Sequence, residues 1–385
     1  MSNKTKIELP HKAIKYRLYP TDKQAEYFNK NFGCCRKLWN LMLADKIAYY
    51  EKTKKQLKTK PTDYYNDYPF FREVDSLALS SVNANLNKAY NDFFSSLKGG
   101  KKKKGFPKFK SAKRSRRSYK TSNQGTTVRL TDNSIKLPKI GFIKAKIHRR
   151  PEPDWRLLSA TISQDPDGKY YVSVCFECPE PNITQVPVTE DKAIGLDYKS
   201  DGLYTDSNGK TAGSPKYYRK TQKDLAKLQR QLSRKKKDSN NYNKARLRVA
   251  RKHKHIANKR LDYLHKKSTE ITNQYDTICV ETLNMRTMAN KGFHNGKATL
   301  DNGYGIFLKL LEYKLKDRGK HFVKVDKWFP SSQLCYCCGT QHKSMKNLSQ
   351  RIFVCSCGYK NDRDINAAMN IKKEGLQLLT ISAVA

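Results

Sequence analysis

The chain has 385 residues and carries 78 Lys and Arg against 35 Asp and Glu, a formal net charge of +43. That length suggests two to four modules with sizeable cores, and so large a positive charge repels itself unless a polyanion neutralises it, which points to nucleic acid. No apolar run of about 18 residues is present and the opening MSNKTKIELPHK lacks the apolar core of a signal peptide, so a membrane partner is not expected and a reducing cytoplasm is; there, ten cysteines at short spacing read as metal ligands before disulfides.

In chain order, residues 1–10 read as a loose arm, and Lys12 to Tyr19 alternates like a strand with one basic face until Pro20 stops it. Thr21 with Gln24 forms a capping-box signature, after which Ala25, Phe28, Phe32, Cys35, Trp39 and Met42 recur at helical spacing. Leu79, Val82, Leu86, Ala89, Tyr90, Phe93 and Leu97 make a second such face, so a helical unit is expected over about residues 21–97. Lys98 to Lys120 then holds twelve Lys and Arg and no acid, with aromatic residues interleaved. It is expected to be an ordered nucleic-acid-binding loop: Lys101, Lys102, Lys103, Lys104, Lys108, Lys110, Arg114, Arg116 and Arg117 would neutralise phosphates while Phe106, Phe109 and Tyr119 stack on bases or sugars. From about Val128 to Phe176 the period drops to two, which predicts a small antiparallel sheet or barrel that the strand 12–19 could join. Cys175 and Cys178 form a lone CxxC and read as core packing, and Pro179 to Val188 has linker composition and marks the main boundary.

A second fold begins with KAIGLD, a buried strand ending at Asp197, and the strand-and-turn DGLYTDSNGK. Lys216 to Lys267 holds twenty Lys and Arg against three acids. It reads as a basic helical hairpin broken near Asp238–Asn241, with Lys235, Lys236 and Lys237 on a phosphate-facing surface. Tyr275 to Thr282 is an apolar strand carrying Glu281 near its end, the Gly/Asn-rich stretch 290–305 is expected to be mobile, and a helix over 306–318 leads to the strand HFVKVD. Helices alternating with short buried strands predict an α/β sheet.

Two sets of residues carry chemistry. Cys335 and Cys338, with Cys355 and Cys357, are paired knuckles across a short polar hairpin, the spacing of a zinc ribbon in which four thiolates hold one structural Zn²⁺. The second pair is CxC instead of CxxC, which leaves Cys337 and His342 as alternative ligands. Asp197 and Glu281 end strands and Asp364 opens the helix INAAMNI, so a sheet could bring all three to one edge, where acidic oxygens can cage two Mg²⁺ ions for phosphodiester hydrolysis.

The segments KYRLYPTDKQ, GFPKFKS, GLDYKSDGLYTDSNG, VETLNM, WFPSSQLCYCCG and CSCGYKNDRDINAAMNI resemble the TnpB (OrfB) family of insertion-sequence transposons, over nearly the whole chain. The resemblance implies a multidomain α+β protein: an N-terminal wedge-like β-barrel (residues 1–20 and 125–185) interrupted by a helical recognition domain and basic loop (21–124), then a RuvC-like nuclease domain of RNase H fold (186–330 and 361–385) with an inserted zinc ribbon (331–360). It implies a Mg²⁺-dependent, RNA-guided DNA endonuclease that binds a transposon-end guide RNA and cuts double-stranded DNA beside a short adjacent motif, as a monomeric ribonucleoprotein. Residue by residue, Asp197, Glu281 and Asp364 match the family's catalytic triad and Cys335, Cys338, Cys355 and Cys357 its zinc ligands. Asn361 stands where His is frequent, and only 21 residues follow Asp364. A nuclease-inactive RNA-guided repressor would be expected to lose a triad acid, and a free-standing RuvC-like nuclease would not require the modules before residue 190.

Overall fold

Side-chain alternation and helix capping set the first elements. The computed structural model describes residues 9–97, 104–179, 183–290, 296–347 and 349–384, and the chain divides into two units at Pro181 and Asn182. In the first unit, strand β1 (His11–Tyr19) buries Ile14, Tyr16 and Leu18 and turns Lys15 and Arg17 outward. Helix α1 (Asp22–Thr53) starts where the capping box is made, the Thr21 hydroxyl accepting from the Gln24 amide and the Gln24 side chain accepting from the Thr21 amide. Helix α2 (Ser76–Leu97) is opened by Asp75, whose carboxylate accepts the Leu77 amide at 2.9 Å. The apolar stripes of both helices, Phe28, Leu38 and Met42 with Leu79 and Leu86, are fully buried in the core of this unit.

Six more strands complete a seven-stranded antiparallel sheet: β2 (Arg117–Ser122), β3 (Arg129–Leu130), β4 (Ser134–Leu137), β5 (Gly141–Lys146), β6 (Arg156–Gln164) and β7 (Tyr170–Glu177). Their order is β2-β6-β7-β1-β5-β4-β3, so the N-terminal strand lies in the middle, between β7 and β5. Residues 117–122, expected in the basic loop, instead pair with β6 from Arg117↔Gln164 to Ser122↔Ser159 and form an edge of the sheet. Cys178 is buried just beyond β7.

The second unit is built on a four-stranded sheet. Its strands are β8 (Ala193–Lys199), β9 (Leu203–Asp206), β10 (Thr277–Glu281) and β11 (His321–Val325), in the order β11-β10-β8-β9, with β8, β10 and β11 parallel. Between β9 and β10 run α3 (Tyr217–Ser233) and the long α4 (Asn240–Gln274), which pack side by side as the expected hairpin; Ser239 caps α4, its hydroxyl accepting the Tyr242 amide. Then come α5 (Met285–Met288), α6 (Gly296–Asn302) and α7 (Tyr304–Lys316). The expectation of a mobile 290–305 is corrected for 296–302, a helix that buries Thr299, Asp301 and Asn302; residues 291–295 lie outside the described residues. Asp301 accepts the amides of Tyr218 and Arg219 and pairs with the Arg260 guanidinium at 3.3 Å, which ties α6 to α3 and α4. A small hairpin, β12 (Ile352–Val354) with β13 (Lys360–Asp362), runs without a loop into the last helix, α8 (Arg363–Val384).

The two faces of this sheet are covered differently. Ile194, Leu196, Ile278 and Val280 pack with Leu264 and Ile271 of α4 and Phe307 and Leu311 of α7. The alternate residues, Gly195 and Cys279, face α8. A Cβ on Gly195 would meet the Ala368 carbonyl oxygen, and one on Gly375 would meet the Cys279 sulfur, so helix and sheet touch backbone to backbone at Gly195 and the helix backbone rests on the Cys279 side chain at Gly375. Gly195→Ala should therefore lower the unfolding free energy, read by denaturant titration, by on the order of 1–3 kcal/mol or more. Gly33→Ala, in α1 with nothing within 4 Å of the added methyl, should be neutral or stabilising by up to about 1 kcal/mol. Equal losses at the two glycines would refute the close packing of α8.

Candidate active site and cysteine knuckle

The register of the sheet brings the predicted carboxylates together. Cys279 pairs with Gly195, so two residues further along each strand Glu281 and Asp197 are lateral neighbours on the same face, about 5 Å apart at the backbone. Gly195 lies against Ala368, and one helical turn before Ala368 on the same side of α8 is Asp364. Two strand residues span about 6.6 Å and four helical residues about 6 Å, so stepping from Gly195 to Asp197 matches stepping back from Ala368 to Asp364. All three acids thus meet where the carboxyl ends of β8 and β10 reach the amino end of α8.

Their electrostatics reflect this crowding. Burial, then the Glu281 and Asp364 carboxylates, push the Asp197 pKa well above the usual carboxylate range, while the Arg363 guanidinium opposes the shift. Burial also raises that of Glu281. Lys199 lies two residues beyond Asp197 and so on the same face of β8, and its ammonium is 3.2 Å from Asp364 Oδ2. Asp362 caps α8, its Oδ1 accepting the amides of Asp364 at 2.8 Å and Ile365 at 3.2 Å. Neither Lys199 nor Asp362 was singled out in the sequence, although the i, i+2 spacing from Asp197 is a signal that could have found the lysine.

The four predicted cysteines also converge. Among the described residues, Cys335, Cys338, Cys355 and Cys357 are the group of His, Cys, Asp and Glu side chains whose ligand atoms all lie within 4.8 Å of one another; the three carboxylates stand further apart. The Cys335–Cys357 and Cys338–Cys355 sulfurs are 3.7 and 3.6 Å apart, close to the edge of about 3.8 Å that a tetrahedron with Zn–S bonds of about 2.3 Å requires. Hydrogen bonding from the Cys357 amide lowers the Cys355 thiol to about 6, whereas, against a backbone hydrogen bond from Tyr359, burial and the three neighbouring sulfurs push the Cys357 thiol up to about 12; the cluster favours one thiolate and shares protons over the rest. Cys337 is exposed and outside the cluster, and His342 Nε2 lies 3.1 Å from the Cys355 sulfur, beside a ligand position. The knuckle's apolar core is small: Met345 and Phe353, with Tyr359 packed against them.

Two buried asparagines join knuckle to helix. Asn366 donates to the Leu334 carbonyl at 2.8 Å and accepts the Tyr336 amide at 3.2 Å, and Asn370, one turn on, donates to the Ser331 and Leu334 carbonyls. Both sit in the sequence DINAAMN, whose i, i+4 asparagines point the same way.

The predicted nucleic-acid contacts divide. Lys101, Lys102 and Lys103 lie outside the described residues. Lys104 pairs with Asp92 at 2.7 Å, and Phe106 sets its ring edge-on to Tyr90 and Phe93. The Lys108 carbonyl accepts the Trp39 indole N–H, and Lys110 places its ammonium 3.6 Å from the Trp39 ring centroid. These contacts fix the part of the basic stretch from Lys104 to Lys110 against α1 and α2. Phe109 and the side chains of Lys108, Arg114, Arg116 and Arg117 are exposed, as are Lys235, Lys236 and Lys237 in the turn after α3. Tyr119 is a correction: it is buried on β2 against Phe28 and Phe32, because that strand alternates, and cannot stack on a base. A cleft of about 420 Å³ between α1, α2 and β2 is lined by Arg36, Lys110, Arg116, Arg117 and Lys120. No helix is long and apolar enough to cross a membrane among the described residues.

Comparison with known proteins adds three observations. The OrfB_IS605 family, described as "Probable transposase", matches residues 173–292; the Cas12f1-like TNB domain matches residues 304–371; and the helix-turn-helix domain HTH_OrfB_IS605 matches residues 11–55, a span that folds here as β1 and the continuous α1. The chain is 34% identical over 376 residues to a Streptomyces pristinaespiralis protein named as a candidate RNA-guided DNA endonuclease, covering 95% of this chain and 89% of that one. It is 29% identical to InsQ of Escherichia coli K12, named in the same way, over 95% and 93% of the two chains. Its fold is similar to that of Cas12f1 in a cryo-EM complex with sgRNA and target DNA, with a TM-score of 0.57 at 12% identity over 95% and 99% of the chains.

Because burial and two neighbouring carboxylates raise the Asp197 pKa, ionising Asp197 costs folding free energy at pH values above its unfolded value near 4. Asp197→Asn should raise the denaturation midpoint of zinc-loaded protein in Mg²⁺-free buffer at pH 7, and the gain should shrink as pH falls toward about 4. A variant less stable than the parent at pH 7 would contradict this electrostatic reading.

Proposed function

This chain belongs to the TnpB (OrfB) family, and on that basis we propose that it is an RNA-guided DNA endonuclease that binds a transposon-derived guide RNA and cuts double-stranded DNA beside a short adjacent motif. The observation that carries the reading is the meeting of Asp197, Glu281 and Asp364 at one sheet edge, set by the Cys279↔Gly195 register and the approach of α8. In this reading β8–β11 with α8 form the RuvC-like nuclease domain, residues 331–360 the zinc ribbon, and the antiparallel sheet with α1 and α2 the wedge-like and recognition modules. Retention of all three acids favours a nuclease over a repressor.

The donor sets fit their metals. Three crowded carboxylates, two of which (Asp197 and Glu281) have raised pKa values, are hard oxygen donors whose repulsion a divalent cation would relieve, as Mg²⁺ sites require. Two Mg²⁺ ions, when bound, supply an activated water and a stabilised leaving oxyanion. The chain's own residues orient this site: Asp362 fixes the start of α8, and Lys199 holds the Asp364 carboxylate. Four thiolates at tetrahedral spacing leave no open position and suit one structural Zn²⁺. Specificity comes from base pairing while the protein binds backbone through its Lys and Arg surfaces.

Purified protein should carry RNA encoded at the transposon end and, with Mg²⁺, cut a matched duplex; Asp197→Ala should bring cleavage below detection while RNA retention is unchanged. Cleavage by that variant at the parental rate would remove the active-site assignment, and absence of copurified RNA would remove the guided mechanism. Metal analysis should find one zinc per chain, lost in Cys338→Ser with unfolding of the knuckle. Folded protein free of zinc would overturn the ribbon assignment.

A further inference from the structure

The chain has three tryptophans. Trp39 is buried and Trp155 packs on Phe176, but Trp328 is 78% exposed. Such exposure of the largest aromatic side chain has no packing explanation. Nor does it belong to a slack loop. Asp326 Oδ1 accepts the Trp328 amide at 2.8 Å, the Asp326 carbonyl accepts the Phe329 amide at 3.2 Å, and Phe329 is packed against Cys279, Val323, Val325 and Ile371. Asn370 fastens the next residues through the Ser331 and Leu334 carbonyls. The turn is pinned on both sides and holds the indole outward. Lys327 places its ammonium 4.3 Å from the ring centroid, so one flat face and one cation are presented together.

The position is also informative. Val325 ends β11, pairs with Glu281 and accepts the Thr282 amide at 3.1 Å. Trp328 therefore follows by three residues the strand end that flanks Glu281, at the sheet edge where the carboxylates meet.

We propose that Trp328 is a stacking platform for an unpaired base of the DNA strand delivered to the carboxylates, with Lys327 taking a neighbouring phosphate. A single ring beside a cation, on a chain of net charge +43, matches a polyanion with exposed bases better than an apolar protein surface. Stacking tolerates any sequence, as a guided nuclease requires of its substrate strand. The inference rests on the nuclease reading only in naming the strand, and the binding it predicts is measured without cleavage.

In full-length Trp39→Phe/Trp155→Phe protein, Trp328 is the single indole, and a mixed-sequence single-stranded deoxyoligonucleotide should quench its fluorescence saturably. In the otherwise parental chain, anisotropy of the same labelled strand should show on the order of tenfold weaker binding for Trp328→Ala and near-parental binding for Trp328→Phe. Binding of the corresponding blunt duplex should change less than about twofold in both variants. Absence of quenching, or equal weakening for single strand and duplex, would overturn the proposal; unchanged single-strand binding by Trp328→Ala would do the same even if the double variant failed to fold. Repeating the anisotropy in Asp197→Ala separates the two readings: stacking should persist there whether or not the carboxylates prove to be catalytic.

Discussion

The close approach of α8 to the parallel strands is the constraint on which the rest of the second unit depends. With Gly195 against the Ala368 carbonyl and Gly375 against Cys279, the helix axis has one depth and one register relative to β8 and β10. Given that depth, Asp364 must stand opposite Asp197, because four residues of helix and two of strand advance by nearly the same distance. The strand pairing then adds Glu281. A methyl group at residue 195 would need the helix to shift by a distance of the order at which catalytic geometry fails, about 1 Å. The glycine is thus as much a part of the carboxylate arrangement as the acids are.

The cysteine knuckle acts on the same helix at its amino end. Strand β13 becomes α8 without an intervening loop, Asp362 of that strand caps the helix, and Asn366 and Asn370 hold residues 331–336 by their backbone. A hairpin with so few apolar residues in its core has little folding free energy of its own, which the proposed zinc would supply through its four cysteines. Folding of the hairpin in turn fixes where Asp364 stands. The cysteines and the carboxylates are separate chemical systems, one tetrahedral and soft, one open and hard, coupled mechanically through two amide side chains.

Periodicity and spacing made most of the elements readable. The capping box at Thr21, the stripes of α1 and α2, the alternating strands, the basic hairpin and the four-cysteine cluster each follow from contacts within a few residues or from ligand chemistry of one type. Glu281 was readable as a strand end and Asp364 as a helix start, whereas Asp197, expected to end its strand, is followed by two more residues of β8 that pair with β9; the meeting of the three depends on the Cys279↔Gly195 register, a relation between strands more than 80 residues apart. Tyr119 misled because a basic, aromatic-rich stretch gives no sign of where the edge strand β2 begins, and only pairing with β6 turns that ring inward. Residues 296–302 misled in the opposite sense: a Gly/Asn-rich composition reads as mobile, yet Asp301 finds two amides and the Arg260 guanidinium supplied by remote helices. Asn366 and Asn370 are small polar residues on an otherwise apolar helix face, and nothing local announces that their partners lie 30 or more residues earlier.

A chain this basic might be thought to keep every carboxylate ionised, and magnitudes show why Asp197 is different. Two like charges about 5 Å apart in a partly desolvated site interact by roughly 3 kcal/mol at an effective dielectric of about 20. A surface lysine about 10 Å away across water contributes about 0.4 kcal/mol before screening, and salt removes much of that. The surplus of positive charge is spread over many such lysines and chiefly concentrates and holds a polyanion. Inside the edge formed by β8, β10 and α8, burial and the neighbouring acids outweigh it at Asp197, with Arg363 offsetting only part. The same molecule therefore presents a positive exterior to a nucleic acid and keeps one small region negative enough to favour a divalent cation, and the boundary between the two is set by distances of a few ångströms at the end of α8.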